Sequence, residues 1–152
     1  MPDTQAVLRL LNEQSTLSLA TTSADGTPRV ASLYYLADNQ LRLYWFSSGS
    51  SEHSRNLSRD SNAAVTIFWP THLWSEIRGA QMRGKAVPVI EATLRASVEE
   101  AYVERYGLDA GFQGVIARTQ LWVFDPDWVR YLDNSKYFGY QDEFELLSRG
   151  TE

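Results

Sequence analysis

The chain has 152 residues, 43% of them hydrophobic, a net charge of −5 and no cysteine. That length makes a single domain with its own core, and the acidic balance argues against a nucleic-acid partner. The lack of cysteine excludes disulfides, thiol catalysis and Cys-bound zinc, and fits a reducing, cytoplasmic setting. The opening MPDTQAVLRLLNEQ has neither the basic start nor the apolar stretch of a signal peptide, and no run is long enough to span a bilayer.

Asp3 or Thr4 caps a short helix whose Val7, Leu10 and Leu11 share one face and pack over one barrel end. Strand-type residues from Leu17 to Thr22 meet Asp25-Gly26, a pair that takes the positive φ of a tight hairpin, and a second strand runs from Val30 to Leu36. Asp38-Asn39 turns the chain into a third strand, Leu41 to Phe46. This empties into Ser47-Ser48-Gly49-Ser50-Ser51, and the next residues, Glu52 to Arg59, read as the start of a helix. Ala63 to Trp69 is the next strand, and Glu76 to Val87 the one after. Gly79 and Gly84 within it mark a bulge or the close approach of a ligand. From Glu91 to Tyr106 the spacing becomes helical, with Leu94, Val98, Ala101, Tyr102 and Tyr106 as an apolar stripe that Gly107 stops. Leu121 to Phe124 and Val129 to Leu132 read as a last pair of strands across a turn at Asp125-Pro126-Asp127. Strands in series with an inserted helix make a mainly β domain, a small antiparallel barrel with peripheral helices; the order is not βαβ, so a Rossmann fold is excluded.

The serine-rich turn entering the Glu52 helix is a candidate phosphate cradle. Backbone N–H groups and hydroxyls at a helix N-terminus donate to an anion, and His53 and Arg55 lie close enough in sequence to add positive charge. The same composition also describes a solvated loop, since turns enrich serine and glycine. Gln81 and Arg83, two apart on one strand, project from the same face, as would the polar side of any half-buried strand. Tyr131 to Tyr140 gathers an amide on Asn134, an ammonium on Lys136, a hydroxyl and several aromatic rings, a mixture suited to closing over a planar ligand or to plugging a turn. Of the five tryptophans, most fall in strands and read as core; Trp74, beside Pro70 and His72, is the one placed to line a pocket. Two histidines without paired spacing argue against zinc or iron, and there is no GxSxG elbow and no GxxxxGK[ST] loop.

The succession strand, Asp25-Gly26, strand, turn, strand, serine-rich turn, His53-Ser54-Arg55-Asn56-Leu57, then the Ala63 to Ile67 strand, resembles the FMN-binding split-barrel superfamily of pyridoxamine 5'-phosphate oxidase-related proteins. Ile77 to Gly84, with Asp133-Asn134-Ser135 and Phe138-Gly139, resembles an uncharacterised bacterial branch of it. The resemblance implies a six-stranded antiparallel split barrel, a homodimer with FMN in each interfacial groove, and a flavin-dependent oxidoreductase acting with a nicotinamide partner on a small molecule. A deazaflavin reductase and a non-catalytic flavin-binding or stress-related module are the alternatives. It places the flavin ring along Ala31, Ser32 and Leu33 and the phosphate near Ser47, Ser51 and His53, with Arg55 or Arg78 adding charge. Gln81 and Arg83 would meet the flavin pyrimidine edge, where a cation near N1 and O2 stabilises the reduced ring. Relatives commonly carry lysine at the position of His53. The Arg-x-His pair that holds substrate in pyridoxamine phosphate oxidases is missing, so oxidation of vitamin B6 phosphates is not expected.

Overall fold

The structure, a computed structural model, describes residues 2–147. Helix α1 (Thr4–Glu13) starts at Asp3, whose carboxylate accepts the Ala6 N–H at 3.0 Å, and it buries Val7, Leu10 and Leu11 in the main core. Strands β1 (Thr16–Thr22) and β2 (Pro28–Tyr34) form the expected hairpin, with Gly26 at φ 86° in its turn. Leu17, Leu19 and Thr21 alternate inward along β1, as a half-buried strand requires.

Beyond β2 the chain bends at Tyr35, which is fully buried and donates its hydroxyl to the Leu11 carbonyl at 2.6 Å. The two residues of β3 (Leu36–Ala37) then leave the β1 side and pair with β4 (Leu43–Phe46). Strand β4 starts later than the pattern predicts. Leu41 sits at φ 64°, and the Asp38 carboxylate holds the turn by accepting the N–H groups of Gln40 and Arg42. Helix α2 (Glu52–Arg59) starts at the predicted residue and ends at Arg59.

Strands β5 (Asn62–Phe68) and β6 (Arg78–Pro88) follow, joined through a short 3-10 turn at Trp74–Glu76. Helices α3 (Ala92–Tyr106) and α4 (Ala110–Ala117) lead to β7 (Leu121–Asp133), and β8 (Gln141–Glu145) closes the described chain. The strand order is β2-β1-β5-β6-β7-β4-β3, with β8 on β7. Its two ends, β2 and β3, are separated in sequence by Tyr35 alone, so the sheet curls back on itself. Counting β2 and β3 as one bent strand, six strands wall the barrel, and β8 pairs with the second part of β7, on the edge that β4 takes along the first. The interior is filled by Trp45, Trp122, Phe124, Met82 and a set of leucines, all essentially without solvent contact.

One part of the expected topology is corrected. Leu121 to Phe124 and Val129 to Leu132 are not two strands across a turn; Asp125, Pro126 and Asp127 lie inside the single strand β7. Arg83 pairs with Trp128 and Gly84 with Pro126, so Asp127 is the extra residue of a β-bulge. A bulge tolerates the missing N–H of Pro126. Gly84 is what lets the strands approach: a Cβ there would lie 2.8 Å from Pro126 Cα and against the Asp125 carbonyl oxygen. The expected bulge is thus found at Gly84, whereas Gly79 pairs with Leu132 in regular register. Helix α4 and strand β8 carry weak local signals. AGFQGVIA has two glycines and no charge, and QDEFE has one apolar residue, so both depend on the surfaces they pack against.

Candidate functional site

Strand β4 delivers Ser47 to the mouth of the barrel, where its N–H donates to the Gln120 carbonyl at 3.0 Å. Ser51 is the N-cap of α2 and accepts the Ser54 N–H. This local geometry folds the serine turn back so that His53 Nε2 lies 2.8 Å from Ser47 Oγ and 3.2 Å from Ser51 Oγ. The Ser51 hydroxyl is also 2.7 Å from Ser54 Oγ. Three of the predicted residues, Ser47, Ser51 and His53, are therefore brought to one point, above the first N–H groups of α2, which have no intrahelical acceptor.

Charge around this point comes from three sources. Arg55 reaches back along the helix and donates to the Ser50 carbonyl at 2.6 Å, which fixes its guanidinium on the turn. Glu52, in the first helical turn, brings the opposite sign but is clamped by Arg29 through bonds of 2.7 and 3.0 Å. That bond holds the Glu52 carboxyl below its usual range. Arg29 was not foreseen, since it reaches the site from β2 across the hairpin. Burial pushes the His53 imidazole below its ordinary value, and the nearby Glu52 charge opposes this in part. Arg78, the other cation considered for the phosphate, is engaged elsewhere, 3.8 Å from the Glu13 carboxylate and over the Trp69 ring.

A second cluster lies on the outer face of the sheet. The register places Ser32, Ser18, Thr66, Gln81 and Arg130 in one transverse row and Val30, Ala20, Ala64, Arg83 and Trp128 in the next. Gln81 and Arg83 do share a face, as their spacing predicts. Small side chains in the middle leave a depression of about 390 Å³ walled by Val30, Gln81, Arg83 and Trp128. Arg83 stacks over Trp128 at 4.5 Å, and Arg130 donates to Gln81 Oε1 at 3.3 Å while pairing with Glu143 at 2.7 Å. Trp128 is thus a half-buried platform for two cations. Of the β2 residues assigned to the flavin ring, Ser32 points to this outer face, while Ala31 and Leu33 are half-buried opposite Leu19 and Leu17. Among the described residues β2 pairs only with β1, so the other edge of its backbone is open alongside all three.

Asn134 and Lys136 belong to a third place. Asn134 donates to the Trp74 carbonyl at 2.8 Å and accepts the Gly139 N–H, so it ties the loop after β7 to the Trp74 turn. Lys136 lies over the Tyr140 ring and 3.6 Å from the Asp3 carboxylate. Trp74 is exposed and edges onto Phe138 at 5.6 Å, an aromatic plug over this loop. Among the described residues no three His, Asp or Glu side chains converge as for a metal ion, and no helix is long and apolar enough to cross a membrane.

Set beside known proteins, the chain matches the family model for pyridoxamine 5'-phosphate oxidase over residues 3–133. It belongs to that family. Among curated proteins, it is similar to a UPF0306 protein of Pasteurella multocida (strain Pm70), with 25% identity over 130 residues covering 85% of this chain and 83% of the relative. Among solved structures it is similar to a conserved hypothetical protein from Mycobacterium tuberculosis, with TM-score 0.77 and 20% identity over 90% of this chain and 87% of that one. It is also similar to HutZ, the heme storage protein from Vibrio cholerae, with TM-score 0.69 and 18% identity over 95% of each chain. These structural likenesses are likenesses of fold.

Proposed function

We propose that this pyridoxamine 5'-phosphate oxidase-family protein binds FMN and acts as a flavin-dependent oxidoreductase in a homodimer. The observation that carries the reading is the meeting of Ser47, Ser51 and His53 at the N-terminus of α2. The donor set fits a phosphate monoester: two hydroxyls within 3.2 Å of one imidazole, N–H groups at a helix start, and Arg55 fixed beside them.

Bound FMN supplies two-electron chemistry, exchanging a hydride with a reduced nicotinamide or a small substrate. The residues of the chain provide position and charge. Ser47, Ser51 and the α2 amides hold the phosphate, and His53 shares a proton with it. The open edge of β2 at Ala31 to Leu33 presents backbone groups to the ring. Arg83, held by Trp128, and Gln81, held by Arg130, offer a cation and an amide from the outer face. That face also exposes Val30 (75%) and Phe68 (61%), apolar surface suited to a second copy that would complete the groove.

The likeness to a heme storage protein over 95% of both chains favours heme as a second reading. Its donors are scarcer: His53 Nε2 is engaged by two serines, and His72 is an exposed residue between Thr71 and Leu73. An absorption spectrum of the purified protein, before and after incubation with FMN or hemin, tests both. A flavin spectrum that bleaches with NADH or NADPH supports the oxidoreductase. A bound flavin that no nicotinamide reduces leaves a flavin-binding module, and a heme spectrum with no flavin uptake overturns the proposal.

A further inference from the structure

The loop after β7 and the Trp74 turn are braced into one tip. Asn134 donates its backbone N–H to the Ile77 carbonyl at 2.9 Å, besides its side-chain bonds to Trp74 and Gly139, and the Trp74 and Phe138 rings meet edge to face. Leu73, Trp74, Ile77, Tyr137 and Phe138 are all exposed on it. Large apolar side chains held out on a fixed surface mark a contact with a partner. The tip stands at the end of the outer face where β5 finishes at the exposed Phe68 and β6 begins. On the opposite edge of the sheet, at the same end, β2 finishes at Tyr34, opposite Thr16. Tyr34 lines an aromatic cavity with Phe46, Tyr102, Tyr106, Phe112 and Val115, and of these Tyr34, Phe112 and Val115 are exposed at its rim. One end of the face thus carries two exposed apolar patches, one on each side.

Symmetry relates the two patches. Between β2 and β6 lie β1 and β5, so Gln81 and Arg83 stand three strand spacings, about 14 Å, from β2 and cannot reach a ring at the far edge of that strand in their own chain. Under the flavin reading they come from a second copy packed outer face to outer face. A two-fold axis lying along the strands exchanges the edges of the sheet and keeps its ends, whereas one lying across the strands does the reverse. Of these, only the first lays β6 and β7 of one copy over β2 of the other. The same operation carries the tip of each copy onto the Tyr34 rim of its partner. We infer that the Trp74–Phe138 tip docks on a second copy of this chain, over Tyr34, Phe112 and Val115, and supplies the wall that closes the flavin groove at that end. The inference rests on the interfacial flavin site proposed above. The phosphate cradle lies by Arg29 at the other end of β2, so the tip is left to the ring end of the groove.

The chain has no cysteine, which makes the test direct. Tyr34→Cys and Leu73→Cys, both at exposed positions, are combined in one chain, which leaves Trp74 in place. Treated with a short bismaleimide at high protein concentration in the presence of FMN, this variant should run as a covalent dimer on a denaturing gel. Either substitution alone should run as a monomer, since the axis keeps like residues on opposite sides. Val30→Cys combined with Leu73→Cys should cross-link far less, because Val30 lies four residues back along β2, about 13 Å away. Dimers from either single variant, or stronger coupling from Val30, would mean a different axis and overturn the docking. Trp74→Ala, at a position 63% exposed, should raise the dimer dissociation constant about thirtyfold or more in analytical ultracentrifugation, with the circular dichroism of the fold unchanged. A dimer that binds FMN but yields no cross-link, or whose dissociation is indifferent to Trp74→Ala, overturns the tip contact and leaves the flavin reading standing. A chain that binds FMN as a monomer removes the interfacial site and the inference with it.

Discussion

Replacing His53 by alanine is the sharpest perturbation of the proposed phosphate cradle. In the free protein the change removes two neutral contacts, at 2.8 Å to Ser47 and 3.2 Å to Ser51, which contribute about 0.5–1.5 kcal/mol each, and the Ser51 hydroxyl keeps its bonds to the Ser48 carbonyl and Ser54. The fold should therefore survive. Toward a phosphate the bond is charge-assisted, about 1.5–3 kcal/mol, so FMN affinity should fall roughly ten- to 150-fold. The pH dependence has a definite sign. Burial holds the His53 pKa down in the free protein, while an adjacent phosphate raises it, so the complex binds more protons than its parts. Affinity then falls as pH rises through the pKa of the complex, and His53→Ala should flatten that slope. Flavin fluorescence titrations of wild type and variant at several pH values supply the numbers, with riboflavin, which lacks the phosphate, as the control expected to be indifferent to the substitution. Equal FMN affinity in the two proteins, or an equal loss for riboflavin, would refute the cradle.

Glu52→Gln removes the like charge beside the cradle and frees Arg29, so FMN should bind more tightly in a titration, with the gain shrinking as salt is added. Gly84→Ala sets a methyl against backbone at the bulge and should cost about 1–3 kcal/mol or more in urea unfolding; an unchanged midpoint would mean that β6 and β7 are not so close. If each FMN touches two subunits, the cofactor must suppress dissociation on dilution, which analytical ultracentrifugation with and without FMN measures; a monomer binding FMN as tightly as the dimer would count against the interfacial site. The missing Arg-x-His pair predicts that the FMN-loaded protein turns over pyridoxine phosphate far more slowly than a nicotinamide donor, and comparable rates in a stopped-flow assay would contradict it.

The sequence by itself determined what short-range chemistry controls. Asp3 capping α1, the Asp25-Gly26 hairpin and the run from Ser47 to Arg59 are legible because cap, turn and first helical turn lie within a few residues of one another. For the same reason Ser47, Ser51 and His53 meet where their spacing predicts. Only the tertiary structure decided what partners distant in sequence impose. Asp125-Pro126-Asp127 has the composition of a turn, but Gly84 on the neighbouring strand gives it room to run on as a bulge, and pairing over the length of β6 outweighs the local preference. Trp128 has the residue type of a core position, and it is the register against Arg83 that turns it outward as a cation platform. Strand β8 exists because β7 offers it an edge, and the aromatic cavity because β2, β4, α3 and α4 bring their rings to one place. Hydrogen-bond capping acts along the chain and leaves its mark in adjacent letters, whereas strand register and packing act across it, between residues that no local pattern joins.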